Sequence, residues 1–395
     1  MTPANSTLER SSARASKRPR WSRRNPYSAV VVRNELLTAP ESEKEVRHLV
    51  LDIEGSGLEY QPGDAVNVTP ANEPALVAAI VERLGVPGET LIADRKGERT
   101  LTNALTHGFE ITSTSPYLLD HLANARGITE VADLLVGDRA AIEAWSRGRD
   151  VLDLLNLDPT WSPTPEAFLA ELRPLAARTY SISSSPSVHE GTLHLTPATL
   201  RHPATDAWGD GRDRGGAAST YLADRVDEGD TVGIYVTANK SFHLPEPDTD
   251  IIMIGPGTGI APFRAFLHQR ALDGGSGRNW LFHGARHRDQ DFLYREEISS
   301  LHADGVLNRL DVAFSREQEE KVYVQHLMDG HREDIYHWLR DGAVLYVCGD
   351  ATAMAQSVDD ALAQIIADYE QLDAEAARAR LDELRSTGRY LRDVY

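Results

Sequence analysis

The chain has 395 residues, 41% of them hydrophobic, and a net charge of −19 at pH 7, which allows two or three domains with their own cores. No apolar run is long enough to cross a bilayer, and the arginine-rich start lacks the apolar stretch of a signal peptide. We therefore expect a cytoplasmic protein that does not use the membrane. The single cysteine, Cys348, excludes an internal disulfide and a cysteine metal cluster, and no metal site is predicted.

Charge is distributed unevenly along the chain. Residues 1–24 carry seven Lys and Arg and one Glu, a net +6, which leaves −25 for the remainder. A basic stretch without periodicity is typical of a disordered tail, and an arm for nucleic acid or an acidic partner is the alternative. The acidic body argues against nucleic acid as a partner.

Residues 25–246 are predicted to form a β domain that is interrupted by helices. The predicted strands are β-branched and bounded by turn residues, and they lie at 27–34, 46–53, 65–68, 192–196 and 231–236, with another from residue 178. Helical spacing of apolar residues predicts an insertion at about 70–175.

Residues 247–395 alternate strands with helices. The predicted strands lie at 251–254, 279–284, 307–314, 344–348 and 390–394. This alternation predicts a parallel sheet with helices on both faces, and such sheets bind ligands at the carboxyl ends of their strands.

A glycine-rich turn follows the first of these strands. Gly255, Gly257 and Gly259 remove side chains where the backbone turns sharply into a helix, whose free N–H groups suit a nucleotide pyrophosphate. A tight structural turn without a ligand is the alternative.

Two segments of the β domain suggest a flavin. Arg178, Tyr180 and Ser181 bring together a guanidinium for a pyrophosphate, a ring that can stack, and a hydroxyl. The stretch 215–220 precedes a helix predicted at 221–225 and offers a second phosphate-type helix start. A surface arginine, a core tyrosine and an ordinary helix cap are the alternatives.

The order of these motifs is specific. Arg-x-Tyr-Ser from Arg178, Gly-Gly-Ala-x-Ser from Gly215, Gly-Pro-Gly-Thr-Gly-Ile-Ala-Pro-Phe-Arg from Gly255, Val-Cys-Gly-Asp from Val347 and an aromatic end at Tyr395 resemble the ferredoxin-NADP reductase family. The helical insertion, Ser-Arg at 315–316, Lys-Val-Tyr-Val-Gln at 321–325 and the segment 389–395 resemble its diflavin branch, and most of all the sulfite-reducing members. The resemblance covers about residue 25 to the end.

The resemblance implies an antiparallel FAD-binding barrel with an inserted helical connecting domain, followed by a doubly wound parallel-sheet NADP-binding domain. It implies that FAD is bound by Arg178, Thr179, Tyr180, Ser181, Thr196, Pro197, Ala198, Gly216, Ala217, Ala218, Ser219 and Tyr395. It implies that NADPH or NADP is bound by Gly257, Thr258, Gly259, Ser315, Arg316, Lys321, Tyr323 and Gln325.

The cationic members of the second set favour NADP over NAD. A 2′-phosphate adds about two negative charges that need cationic partners, whereas NAD sites usually offer a carboxylate to the ribose. The alternative is that Arg316 and Lys321 only neutralise neighbouring glutamates on a solvated surface.

Ser181, Cys348 and Asp393 match the catalytic trio of the family, and Tyr395 matches an aromatic residue that covers the flavin. Hydride transfer needs two rings held close, water excluded, and the charge on each ring balanced by polar groups. Without the resemblance, Cys348 would be an inert buried thiol and Tyr395 a frayed chain end.

The resulting hypothesis is an enzyme: an NADPH-dependent FAD reductase that serves assimilatory sulfite reduction. The 24 residues before Asn25 are too few for the FMN domain of diflavin relatives. The expected acceptor is therefore a separate protein, namely a sulfite reductase hemoprotein, a flavodoxin or a ferredoxin. A general ferredoxin or flavodoxin reductase, and an inactive flavin-free scaffold, are the alternatives.

Overall fold

The computed structural model describes residues 20–94, 97–204, 211–351 and 353–395. The predicted tail lies outside the described residues as far as residue 19. Residues 20–24, which the sequence placed in that tail, instead pack against the first domain. The Trp21 indole N–H donates to the Ser56 carbonyl at 2.8 Å, and the Trp21 ring lies 5.1 Å from that of Tyr27.

The strands within the described residues are β1 (Tyr27–Leu36), β2 (Arg47–Asp52), β3 (Ala65–Thr69), β4 (Leu91–Asp94), β5 (Gly97–Thr100), β6 (Arg178–Ser181), β7 (Thr192–Leu195), β8 (Arg201–His202), β9 (Arg214–Gly215), β10 (Thr231–Thr237), β11 (Ile251–Pro256), β12 (Asn279–Ala285), β13 (Arg309–Phe314), β14 (Val344–Gly349) and β15 (Tyr390–Val394).

The α-helices within the described residues are α1 (Pro74–Leu84), α2 (Leu101–His107), α3 (Pro116–Asp120), α4 (Thr129–Val136), α5 (Arg139–Ser146), α6 (Val151–Asn156), α7 (Pro165–Ala170), α8 (Ala217–Asp224), α9 (Ile260–Asp273), α10 (Arg288–Asp291), α11 (Arg295–Ala303), α12 (Val324–Gly330), α13 (Arg332–Arg340), α14 (Ala353–Glu370) and α15 (Ala374–Ser386). A π-helix at His121–Ala125 and a 3-10 turn at Gly257–Gly259 complete the helical segments of the described residues.

The first domain is an antiparallel barrel. Its six strands pair in the order β6-β3-β10-β1-β2-β7. Beyond the end of β6, the Ser183 N–H donates to the His194 carbonyl in β7 at 2.9 Å, so the two edge strands meet. Side chains that alternate along the strands, such as Val66 and Val68, fill the interior. The predicted barrel is confirmed.

The helical insertion lies between β3 and β6 and contains α1 to α7. It has its own core, in which Ile80, Leu101 and Phe168 are fully buried. The hairpin of β4 and β5 was missed by the helical interpretation, because each of its strands has four residues and leaves no periodic signal.

The second domain is a five-stranded parallel sheet in the order β13-β12-β11-β14-β15. Successive side chains of a strand point to opposite faces. Ile252 and Ile254 therefore pack in the core that contains α13, α14 and α15, while Ile251 and Met253 pack in the core that contains α9 and α11. The predicted doubly wound sheet is confirmed. Among the described residues, no helix has the length and apolarity needed to cross a bilayer.

A buried polar network joins the two domains. The Arg264 guanidinium of α9 donates to the Ser183 carbonyl at 2.7 Å and to Glu297 at 2.9 Å. The Tyr294 hydroxyl hydrogen-bonds with His48 Nδ1 at 2.9 Å and with the Thr196 hydroxyl at 2.7 Å. The barrel and the parallel sheet are thus held together by directional bonds, which fixes how the carboxyl edge of the sheet faces the barrel.

Candidate active site

The glycine-rich turn lies at the carboxyl edge of the parallel sheet, between β11 and α9. Gly257 has φ +58°, a left-handed conformation that favours glycine. A Cβ on Gly259 would lie 2.1 Å from the Cys348 carbonyl oxygen, so only glycine allows the turn to pack against β14. Strand β12 lies on one side of β11 and β14 on the other, so the strand order reverses at β11. Parallel sheets bind ligands at the carboxyl ends of the strands where the order reverses.

A cavity of about 640 Å³ opens beside this turn. It is lined by seven of the eight residues that the sequence assigned to the nicotinamide nucleotide: Gly257, Thr258, Ser315, Arg316, Lys321, Tyr323 and Gln325. The eighth, Gly259, is buried behind the turn. Residues from the ends of β11 and β13 and from the start of α12 therefore meet in one place.

Two cations of this cavity were missed by the sequence interpretation. Lys44 comes from the loop between β1 and β2, and Arg286 follows β12. The Lys44 Nζ lies 3.7 Å from the position that a Cβ on Gly257 would take. Burial, and then the positive charge of Arg286, lowers the pKa of Lys44. Lys44 lies in the charged run 41–47, and the sequence of this run is the same as that expected for a solvent-exposed loop.

Ser181, Cys348 and Asp393 lie together where the two domains meet. Cys348 and Asp393 are partners in the parallel pairing of β14 and β15. The Ser181 hydroxyl, at the end of β6, donates to Asp393 Oδ2 at 2.6 Å, and the Cys348 thiol lies 3.9 Å from the same oxygen. A hydrogen bond therefore connects the barrel to the last strand of the sheet.

Burial raises the pKa values of Asp393 and Cys348 in this trio. Burial raises the pKa of Asp393, and the hydrogen bonds from Ser181 and Cys348 partly oppose this effect. The thiol of Cys348 is fully buried, and its pKa is raised by burial and then by the nearby charge of Asp393. At neutral pH the thiol stays protonated and acts as a neutral, polarisable contact rather than as a nucleophile.

Tyr395 lies over the mouth of the cavity. Its hydroxyl hydrogen-bonds with the Thr258 hydroxyl at 2.8 Å, and the residue lines the cavity together with Gly349 and Asp350. The side chain is nevertheless 63% exposed. The hydroxyl end of the ring is therefore held at the cavity, while the residue as a whole remains exposed.

The residues that the sequence assigned to FAD follow the barrel strands. Arg178 pairs with the buried Glu110 of the insertion at 3.2 Å and remains half exposed. Burial raises the pKa of Tyr180 to about 12. The Thr196 hydroxyl hydrogen-bonds with the Tyr294 hydroxyl at 2.7 Å, and the Pro197 carbonyl accepts from the Arg47 N–H at 3.0 Å.

The second phosphate-type helix start was placed too late by the sequence. Helix α8 begins at Ala217, not at residue 221, and Gly216 is its N-cap. The first turn of α8 therefore consists of Ala217, Ala218 and Ser219, the residues that the resemblance assigned to a pyrophosphate. The Ser219 hydroxyl accepts from the Leu200 N–H at 3.1 Å, which fixes this helix start beside the segment that follows β7.

Two family models match the chain. Residues 19–221 match the FAD binding domain, and residues 253–360 match the oxidoreductase NAD-binding domain. The chain belongs to the FAD binding domain family. The predicted cofactors, FAD and a nicotinamide dinucleotide, are those of these two domains.

Curated relatives agree with this membership. The sulfite reductase [NADPH] flavoprotein alpha-components of Klebsiella pneumoniae, Bacillus subtilis and Escherichia coli are each 42% identical to the chain, over 378, 379 and 376 residues. Each alignment covers 95% of this chain and 62% of the relative. The sequence therefore spans less than two thirds of the length of these relatives, and the predicted resemblance to the sulfite-reducing branch is confirmed.

The residues of this FAD-binding chain fit the cofactor. A half-exposed guanidinium at Arg178, a ring at Tyr180 and a helix start after Gly216 that no side chain caps offer the charge, the stacking surface and the N–H donors that a flavin dinucleotide needs. Among the described residues, no group of His, Cys, Asp and Glu side chains could hold a metal ion.

Proposed function

We propose that this chain is an NADPH-dependent FAD oxidoreductase that supplies electrons for sulfite reduction. The observation that carries the proposal is the hydrogen bond from Ser181, at the end of barrel strand β6, to Asp393, two residues before Tyr395, which lines the cationic cavity. The names of the relatives support sulfite as the final substrate.

In this proposal the cavity holds the nicotinamide nucleotide along its length. Arg316, Lys321 and Ser315 bind the adenosine 2′-phosphate through charge-assisted hydrogen bonds. The N–H groups of the turn at Gly257 and the ammonium of Lys44 bind the pyrophosphate. Because these anchors contact parts of the nucleotide that do not react, their binding energy can position the nicotinamide ring.

The hydride step takes place beside Ser181, Cys348 and Asp393. FAD, when bound, accepts a hydride and releases its electrons one at a time. The Ser181 hydroxyl, whose proton is donated to Asp393, would contact the flavin through its oxygen, Asp393 would balance positive charge on the nicotinamide ring, and the neutral thiol of Cys348 would exclude water. None of these groups has to transfer a proton in the hydride step.

We assign the cofactors to two units. Residues 25–246, with the insertion at about 70–175, form the FAD-binding unit, and residues 247–395 form the NADP-binding unit. FAD contacts come from Arg178 to Ser181, from the backbone of 196–198, from Gly216 to Ser219 and from Tyr395. The electron acceptor is a separate protein, for which a sulfite reductase hemoprotein is the first candidate and a flavodoxin or a ferredoxin is the second.

The test is an anaerobic titration of the purified 395-residue protein. The released flavin is identified by chromatography, and the flavin absorbance is followed while NADPH is added. The proposal expects bound FAD that NADPH bleaches, with slower bleaching but unchanged FAD content in Ser181→Ala. A colourless protein, or bound FAD that NADPH does not reduce, would leave the inactive scaffold as the better interpretation.

A second experiment identifies the acceptor. The reduced protein is mixed with a sulfite reductase hemoprotein, a flavodoxin or a ferredoxin, and the rate of acceptor reduction is measured by absorbance. Fast transfer to the hemoprotein alone supports sulfite reduction, whereas fast transfer only to flavodoxin or ferredoxin would support the general reductase.

A further inference from the structure

One carboxylate, that of Glu43, pairs with two of the cations that line the nucleotide cavity. Glu43 Oε2 lies 2.6 Å from Nη1 of Arg286 and 3.2 Å from Nη1 of Arg316. Both arginines line the cavity, whereas Glu43 is not among its lining residues. One acidic side chain therefore neutralises two of the cations that a phosphate would use.

This carboxylate comes from the other domain. Glu43 lies in the loop between β1 and β2 of the barrel, next to Lys44. The loop is fixed against the parallel-sheet domain, since the Ala39 N–H donates to the Gln290 carbonyl at 2.7 Å. Within the loop, the Lys44 N–H donates to the Ser42 hydroxyl at 3.1 Å. The backbone of Glu43 is thus held near the two arginines, whether or not its side chain contacts them.

We propose that Glu43 is a specificity-determining residue that competes with the nucleotide 2′-phosphate for Arg316 and Arg286. This inference rests on the proposed NADPH function. A phosphate dianion that binds Arg316 enters the immediate neighbourhood of the Glu43 carboxylate, and the two like charges repel. The side chain of Glu43 is 65% exposed, so it can turn toward solvent when the phosphate arrives.

The carboxylate has two opposing effects. As a partner it holds the arginines toward the cavity, which favours phosphate binding. As a competitor it must release them, which opposes binding. An exposed ion pair contributes little to holding a side chain in place, and a glutamine amide oxygen can still accept a hydrogen bond from an arginine. Replacement of Glu43 by glutamine therefore removes mainly the competing charge.

The test measures binding to the FAD-containing protein by calorimetry at low ionic strength. The probes are adenosine 2′,5′-bisphosphate, which carries the 2′-phosphate, and 5′-AMP, which lacks it. The variants are Glu43→Gln and the matched control Glu41→Gln in the same loop; Glu41 makes no ion pair within the described part of the chain.

The expected result is that Glu43→Gln lowers the Kd of the bisphosphate by about three- to fivefold, the size of one exposed charge pair. Glu43→Gln should not change the Kd of 5′-AMP. Glu41→Gln should bind both probes with the same Kd as the unmodified protein. The gain should shrink as salt is added, and it should be smaller when Arg286 and Arg316 are both changed to alanine, because only the direct repulsion between the carboxylate and the phosphate then remains.

Two outcomes overturn the inference in different ways. If the unmodified protein prefers the bisphosphate but Glu43→Gln leaves its Kd unchanged or higher, Glu43 does not compete and the proposed function stands. If the unmodified protein binds both probes equally well, the proposed choice of NADP fails and this inference fails with it.

Discussion

The hydroxyl of Tyr395 and the hydroxyl of Thr258 share a hydrogen bond of 2.8 Å across the mouth of the nucleotide cavity. Thr258 lies in the turn that we assign to the pyrophosphate, and Tyr395 lies beside Asp393 of the hydride site. The hydrogen bond thus connects the proposed pyrophosphate turn to the proposed hydride site. In the proposed function, a nicotinamide ring that reaches the hydride site has to displace the tyrosine ring.

We predict that Tyr395→Ser raises activity with NADH relative to NADPH. Stacking of an aromatic ring contributes roughly 0.5 to 1.5 kcal/mol beyond its buried area, so the ratio of the two kcat/KM values should shift by roughly two- to tenfold. NADH benefits more because it lacks the phosphate contacts that offset the displacement. Steady-state kinetics with both nucleotides measure the ratio.

Tyr395→Phe is the matched control for the ring itself. It keeps the aromatic surface and removes only the hydrogen bond to Thr258, so its nucleotide preference should stay close to that of the unmodified protein. If the serine variant keeps both its preference and its flavin spectrum, Tyr395 does not cover the flavin.

Changing Arg316 and Lys321 together to alanine should weaken NADPH far more than NADH. Each hydrogen bond to a charged group contributes roughly 1.5 to 3 kcal/mol, so the loss of two such contacts predicts a decrease of at least about a hundredfold in kcat/KM for NADPH. Arg288→Ala is the control, because Arg288 is an exposed arginine near Glu317 that does not line the cavity. Equal losses with NADPH and NADH would contradict the assignment of the 2′-phosphate site.

Asp393→Asn should raise thermal stability while it slows hydride transfer. Burial raises the pKa of Asp393 above its usual 3.8 in the folded protein. The folded state therefore favours the protonated form, and the ionised carboxylate lowers stability once the pH exceeds the folded pKa. The amide has no charge to bury, so Tm should increase by roughly 2 °C near neutral pH.

The pH dependence of this gain is the decisive measurement. As the pH falls through the folded pKa toward the usual value, Asp393 takes up its proton and the difference in Tm between the two proteins should vanish. A constant difference at every pH would show that Asp393 is not the titrating group. Stopped-flow bleaching of the flavin by NADPH reports the loss of rate separately.

The domain interface should make the protein sensitive to mild acid. Burial, and then the charge of Arg264, lowers the pKa of His48 from 6.5 to about 4. A histidine with a lowered folded pKa contributes stability that is present above 6.5 and is lost as the pH falls toward 4. The free energy of unfolding should therefore decrease over this window.

His48→Asn tests this prediction. Asparagine keeps a polar group near the Tyr294 hydroxyl and does not titrate, so the loss of stability between pH 6.5 and 4 should be less steep. His302→Asn is the control, since the exposed His302 also forms a hydrogen bond through Nδ1, to the Leu307 carbonyl. Denaturant unfolding at several pH values compares the slopes, and equal slopes in His48→Asn and the unmodified protein would contradict the prediction.

The sequence by itself determined the parts of the molecule that depend on neighbours a few residues apart. The strands at 251–254 and 344–348 were visible as continuous apolar runs, because a strand covered on both faces has no polar side. The turn at Gly257 was visible because its backbone needs glycine locally. Cys348 and Asp393 could be paired only through the resemblance, since they come from different strands.

The tertiary structure decided which distant groups share the cavity and which do not. Lys44 and Glu43 lie in a charged run that reads as solvated surface, and only the docking of the barrel loop against the parallel sheet brings them to Arg286. Thr196 was assigned to the flavin, but the same docking turns its hydroxyl to Tyr294. Local sequence patterns carry no information about these contacts, because the contacts arise from the relative placement of the two domains. That placement depends on the buried polar network between the domains.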